Sequence, residues 1–377
     1  MAKTESSINA LPTPSLLLDL SGLERNAARM RERAMALGIS LRPHLKTAKS
    51  VEAARFVLGG ALGPATVSTL KEAEIFGNAG ITDLLYAVSI APQKLAKVSD
   101  LRQSGIDLKI ILDSLEAAQF VAAHARQHGG DIEVMIEVDV DGHRSGVRWD
   151  DHDTLIAIAR LLNKDAKLHG ILCHAGDSYH LHGPAALEEA ASLERSRIVA
   201  AANALKAAGI ACPVVSVGST PTALSSRSYE GVTELRAGVY MFFDVVQVGL
   251  GVCGVDDIAL SVLATVIGHR HDKNWIITDA GWMALSSDAG QGEHYGLVCD
   301  AQGRPYPDLV VLGTNQEHGI VGIRPGSSAP LPLLPIGTRL RILPNHACAT
   351  AAQHDQYHLL DGENHVAGTW PRFRGWD

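Results

Sequence analysis

The sequence predicts an α/β chain built as a (β/α)8 TIM-type barrel followed by a β-rich C-terminal domain. Three observations carry this. Apolar strand-like runs alternate with helical stretches through the first two-thirds of the 377 residues. The runs number eight, over about 240 residues, which fits a barrel. After residue 250 the helical period gives way to short strand-like runs joined by Gly, Pro, Asn and Asp.

The eight runs are "SLRPHLK" (40–46), "PATVSTL" (64–70), "DLLYAV" (83–88), "LKIILD" (108–113), "EVMIEVD" (133–139), "HGILCHAG" (169–176), "PVVSVG" (213–218) and "ELRAGVY" (234–240). Between them lie stretches such as "SVEAARFVLG" and "SLEAAQFVAAHARQHG", apolar at three- and four-residue spacing. Near-continuous apolar strands between helices belong to parallel sheets. An open doubly wound sheet is the runner-up, but no GxGxxG follows the first strand. A further run, "SLLLDL" (15–20), precedes the first barrel strand and is free to pair with the second domain. The reading divides the chain into a barrel at 1–250 and a β-rich domain at 251–377, the latter from runs such as "LSVLATVIGHR" and "TRLRILPNHA".

Bulk properties narrow the function. The net charge of −8 argues against a general nucleic-acid surface. The apolar runs fall far short of a membrane span and lack signal-peptide flanks. Five scattered cysteines without a CxxC pair suit a reducing cytoplasm.

A barrel carries its chemistry at the C-terminal ends of its strands. Lys46 ends the first strand, Arg144 of "DVDGHRSGV" follows the fifth, and His174 ends the sixth with Tyr179 just beyond. Gly218, Ser219 and Thr220 close the seventh, and Gly238 and Tyr240 end the eighth. A lysine at a strand end is usually a solvated loop residue; the sharper reading is a Schiff-base lysine. The "SVGSTPT" turn offers N–H groups and hydroxyls to an anion, where barrels often hold phosphate. Lysine and phosphate cradle together suggest pyridoxal 5′-phosphate. Arg144 reads equally as an ion-pair partner of Asp139 or Asp141, or as a cofactor contact. His174 reads first as a packed strand histidine.

A second cluster is "LPNHACAT" (343–350). His346 and Cys348 stand two apart, so on a strand their side chains would share a face. Imidazole and thiolate suit a zinc-like ion, and two protein ligands leave an open site fit for a Lewis acid.

The motifs "RPHLKT", "STLKEAE", "DGHRSGV", "HAGDSY", "SVGSTPT", "RAGVY", "NQEHGI" and "PNHACAT", in order over nearly the whole chain, resemble the D-serine dehydratase / D-threonine aldolase family. This is the fold-type III, alanine-racemase-like group of pyridoxal-phosphate enzymes, and the likeness is strongest to its D-threo-3-hydroxyaspartate dehydratase branch. The resemblance implies a homodimer and a small-molecule D-amino acid substrate. It implies Lys46 as the Schiff base, Arg144 and Tyr179 at the cofactor ring, and the "VGST" turn with "AGVY" at the phosphate. It implies a divalent metal, zinc or manganese, on His346 and Cys348. The expected reaction is loss of water from a D-3-hydroxy amino acid. Retro-aldol cleavage is the alternative, with a racemase or a non-catalytic cofactor carrier more distant.

Overall fold

The computed structural model describes residues 6–128, 132–290, 292, 294–362 and 365–377. They form two compact units: Ala28–Gly238 with Gly375–Asp377, and the residues up to Ala27 with Val239–Arg374.

The first unit is the barrel. Its eight parallel strands are Ser40–Leu41, Ala65–Val67, Asp83–Ser89, Asp107–Leu112, Glu133–Asp139, Lys167–Leu172, Val214–Val217 and Glu234–Leu235. Each pairs with its chain neighbour from the second to the eighth, and the eighth pairs with the first. The remaining gap is closed by a parallel bridge between His44 and Thr66. Two hydrogen bonds of 2.8 Å hold it, Leu45 N–H to the Thr66 carbonyl and Thr66 N–H to the Pro43 carbonyl.

The first strand is far shorter than the apolar run suggests. Pro43 has no N–H to give toward the second strand, so pairing on that side is limited to the single bridge, while on the other side the Arg42 and His44 N–H groups still donate to the Leu235 and Ala237 carbonyls at 2.8 and 2.7 Å. The eighth run likewise stops at Leu235 and passes through Gly238 into a turn at Val239–Met241.

Inside the barrel, apolar side chains of four successive strands, Leu85, Ile111, Met135 and Leu172, pack together. Below them the filling is ionic. Arg42 Nε lies 2.6 Å from Glu234 Oε2 and its Nη1 lies 2.8 Å from Asp83 Oδ1. Lys109 Nζ is 2.8 Å from the same Asp83 oxygen. Burial pulls the Arg42 pKa down, but Glu234 and Asp83 outweigh it and hold the guanidinium above its usual value. A charge taken out of water must be paired, and here one arginine ties the first, third and eighth strands.

The second unit is antiparallel. Strands Leu260–Arg270, Trp275–Thr278, Gly319–Ile323, Pro305–Thr314, Leu297–Cys299 and Arg339–Leu343 pair in that order, and the last returns to the first, closing a six-stranded barrel. Strand Ser15–Asp19 belongs to this sheet, antiparallel to Leu260–Arg270 and parallel to Gln356–Leu360. Leu17, Ile8, Leu263, Leu360 and Val366 form a buried cluster there. Among the described residues no helix is long and apolar enough to cross a membrane.

Truncating one partner of a buried pair leaves the other charge bare. Arg42→Ala is predicted to lower stability by about 3–5 kcal/mol. Arg148→Ala, which removes the exposed pair with Asp150, should leave stability close to that of the wild type. Urea midpoints of the two variants, followed on barrel-specific amides, check this; equal shifts would remove the ionic core from the account.

Candidate active site

Lys46 lies in the turn that follows the His44–Thr66 bridge and is exposed. Its N–H lies 3.5 Å from His44 Nδ1. Around it the barrel gathers cations. Burial drives His44 well below the usual imidazole value, and Lys46, Arg236 and His174 push it further. Burial also takes His174 down to about 3, reinforced by Arg144, Lys46 and Arg236. Both imidazoles are therefore neutral at pH 7. The His174 Nδ1–H donates to the Gly218 carbonyl at 2.6 Å, which leaves Nε2 as an acceptor. Tyr179 packs near it, with ring centroids 6.4 Å apart.

Arg144 pairs with neither Asp139 nor Asp141. Its Nη2 lies 3.4 Å from Glu137 Oε1, and Ser145 Oγ donates to the other oxygen of that carboxylate at 3.0 Å. Asp139 is occupied instead in its own loop, where Oδ1 accepts the N–H groups of Asp141 and Gly142.

Arg236, absent from the sequence-based site, is buried at the heart of this cluster. It donates to Ser216 Oγ at 2.5 Å and to the Cys173 carbonyl at 2.6 Å. Ser216 Oγ in turn donates to Glu234 Oε1 at 2.7 Å. The signal lay in "RAGVY", two residues from Glu234 in the inward period of the strand.

The seventh-strand turn is built as a cap. Ser219 Oγ accepts Thr222 N–H at 3.2 Å at the start of helix Thr220–Ser225, and lies 3.0 Å from Ser178 Oγ in the preceding loop. The Gly218 N–H is given to the buried Glu194 carboxylate at 3.0 Å, so it does not face outward. Glycine is needed there for space: a Cβ would stand 1.8 Å from the Arg236 carbonyl oxygen. Gly238 similarly lets the eighth strand approach the Lys46 turn, since a Cβ would meet His44 and Thr47 atoms at 3.0–3.1 Å. Tyr240 is fully buried in the Val239–Met241 turn, which belongs to the second unit.

His346 and Cys348 do meet, by a route other than a shared strand face. The strand ends at Leu343, because Pro344 and Asn345 turn the chain. His346 is the N-cap of helix Ala347–Ala351, and Cys348 lies in its first turn. Cys348 hydrogen-bonds the imidazole and, with help from Asp244 and Asp288 and against burial, holds it up at about 10. Asp288 Oδ2 takes the His346 Nδ1–H at 2.8 Å, while its Oδ1 accepts Gly290 N–H at 2.8 Å. Asp244, buried, accepts Ala347 N–H at 2.9 Å and Gln247 N–H at 3.0 Å, so it fixes the start of the Cys348 helix.

The two clusters differ in character. In the barrel Glu137, Glu194 and Glu234 are engaged by Arg144, by the Gly218 N–H and by Ser216 with Arg42, and the exposed cations Lys46 and Arg144 suit an anionic cofactor such as a phosphorylated aldehyde. A nitrogen, a sulfur and nearby carboxylates suit a divalent ion of the zinc or manganese type.

With this geometry, the comparisons are specific. A family model described as "Alanine racemase, N-terminal domain" matches residues 18–245, and one described as "Putative serine dehydratase domain" matches residues 259–360. The chain belongs to the alanine-racemase-like, fold-type III family of pyridoxal-phosphate enzymes. Within it the chain is 53% identical to a D-threo-3-hydroxyaspartate dehydratase from Delftia sp. (strain HT23), over 99% of this chain and 100% of that one. A D-serine dehydratase from Dictyostelium discoideum is 31% identical over the full length of both. The solved Delftia structure superposes with a TM-score of 0.95 at 52% identity, covering 99% of this chain and 100% of that one.

Asp288 holds the imidazole so that Nε2 is left for a ligand. Replacing it by asparagine keeps the shape but loses the charge. Asp288→Asn is predicted to lower affinity at the Cys348-dependent metal site by about 10–100-fold, read by equilibrium dialysis against zinc. Unchanged affinity would show that His346 needs no such support.

Proposed function

We propose that the chain is a pyridoxal-phosphate- and divalent-metal-dependent dehydratase that removes water from a D-3-hydroxy amino acid. The observation that carries this reading is the His346–Cys348 pair backed by Asp288. A racemase or a cofactor carrier has no use for an imidazole–thiol pair. Solved structures of a D-threo-3-hydroxyaspartate dehydratase support it: one has a cysteine replaced by alanine and is described as metal-free, and another has the histidine two positions earlier replaced by alanine.

Lys46 would hold the cofactor, Arg144, Tyr179 and His174 would border its ring, and Ser219, Thr220, Gly238 and Tyr240, with the Gly218 turn, would serve its phosphate. His346 and Cys348 would hold the metal. When bound, the cofactor supplies an electron sink for Cα and the ion a Lewis acid for the departing hydroxyl. The rest falls to the chain. The Lys46 amine takes the Cα proton from one face, which selects the D-configuration. His44 and His174, held neutral, add no competing acid beside it. Arg144 would offer its guanidinium to anionic groups, while Arg236 holds Ser216 and the Cys173 carbonyl in place. Overall, Cα–H and Cβ–O bonds break, and after hydrolysis the products are a 2-oxo acid and ammonia.

The substrate within the class follows the 53% identical relative, D-threo-3-hydroxyaspartate, ahead of D-serine and D-threonine. The five scattered cysteines, with no CxxC pair, suit a reducing cytoplasm, and a homodimer follows the family.

Product analysis decides the reaction. D-threo-3-hydroxyaspartate, D-serine and D-threonine should give ammonia and a 2-oxo acid in proportion, and chelation should stop this reversibly. Glycine and an aldehyde as main products would make the chain an aldolase. The L-enantiomers should be inert, because their Cα–H would face away from Lys46; equal turnover would end the one-face argument.

A further inference from the structure

We infer that the barrel carries a second divalent-metal site, made by His143, Asp177 and His180 in the loops after its fifth and sixth strands. The ligand-bearing atoms of these three side chains lie within 4.8 Å of one another. His180 Nδ1 and Asp177 Oδ1 are already 3.7 Å apart, and the two imidazole centroids are 5.7 Å apart. Two ligands on a tetrahedral zinc ion, at bonds of about 2.0–2.1 Å, stand about 3.3 Å from each other. Small rotations of three exposed side chains close that difference.

The loops are held in this arrangement independently of any ion. The Asp141 carboxylate spans them, with Oδ1 accepting His143 N–H at 3.1 Å and Oδ2 accepting Asp177 N–H at 2.9 Å. The His143 ring lies against the backbone of Gly176, where a Cβ would come within 2.4 Å of its Cδ2. Asp141 and Asp177 lie in these two loops and Asp139 ends the strand before them, while Arg144 of the first loop is paired with Glu137.

The donor set defines the ion. Two imidazoles and one carboxylate favour zinc, nickel, cobalt or copper over magnesium and calcium. Three protein ligands leave a coordination position for water or an anion. The loops also carry Arg144 and Tyr179, so an ion here would staple together two segments placed at the cofactor. The site shares no ligand with the His346–Cys348 pair and stands or falls separately from the proposed reaction.

Equilibrium dialysis of the holoenzyme against zinc, with metal analysis, tests it. The wild type should take up two ions per chain, Cys348→Ala one, His180→Ala one, and the double variant none. Gly176→Ala keeps all three ligands but displaces the His143 ring, and should weaken the second ion by about tenfold. Wild-type uptake by both His180→Ala and Gly176→Ala, or loss of all zinc in Cys348→Ala, would overturn the assignment.

Discussion

Arg236 is the constraint on which the barrel site depends. A buried guanidinium cannot shed its charge, so the fold must supply its partners. It does so through one continuous chain: Arg236 to Ser216, Ser216 to Glu234, Glu234 to Arg42, and Arg42 to Asp83. The chain links the first, third, seventh and eighth strands. The first and eighth strands each contribute only two residues of regular ladder, and backbone bonds from Arg42, His44 and Arg236 carry the pairing on toward the barrel mouth. The ionic chain adds a side-chain connection among these strands to the backbone one.

The same charges set the chemistry of the mouth. Burial keeps two nearby imidazoles neutral, and the cations act in the same direction, Lys46 and Arg236 on both and Arg144 on His174. That field favours an anionic guest. In the antiparallel unit the logic reverses. Asp244 and Asp288 surround His346, and carboxylates of this kind favour a cation. One chain thus carries an anion-seeking cluster and a cation-seeking cluster, each assembled from groups that pay little for burial because they are paired.

Much of this was legible in the sequence because it is local. Period and count gave eight parallel strands, and the rule that chemistry sits at strand ends drew attention to Lys46, Arg144, His174 and the Gly218 turn. What escaped depends on contacts distant in the chain. Arg236 stands in a quoted motif, yet its burial is set by Ser216 and Cys173, 20 and 63 residues away. Asp288 lies 58 residues before His346. The shared strand face assigned to His346 and Cys348 failed because Pro344 and Asn345 end the strand, so a helix cap brings the side chains together instead. Gly218 was read as an anion donor, but Glu194, a helix residue 24 positions earlier, takes its N–H.

The central claim is that Lys46, and no neighbouring lysine, is the amine that carries the cofactor. Lys49 is held 3.1 Å from buried Glu72, and Lys71 is held 3.0 Å from Glu74. Borohydride reduction of the holoenzyme, followed by peptide mapping by mass spectrometry, reads the attachment directly. The account predicts a single reduced cofactor adduct on Lys46; an adduct on Lys49 or Lys71 would contradict it.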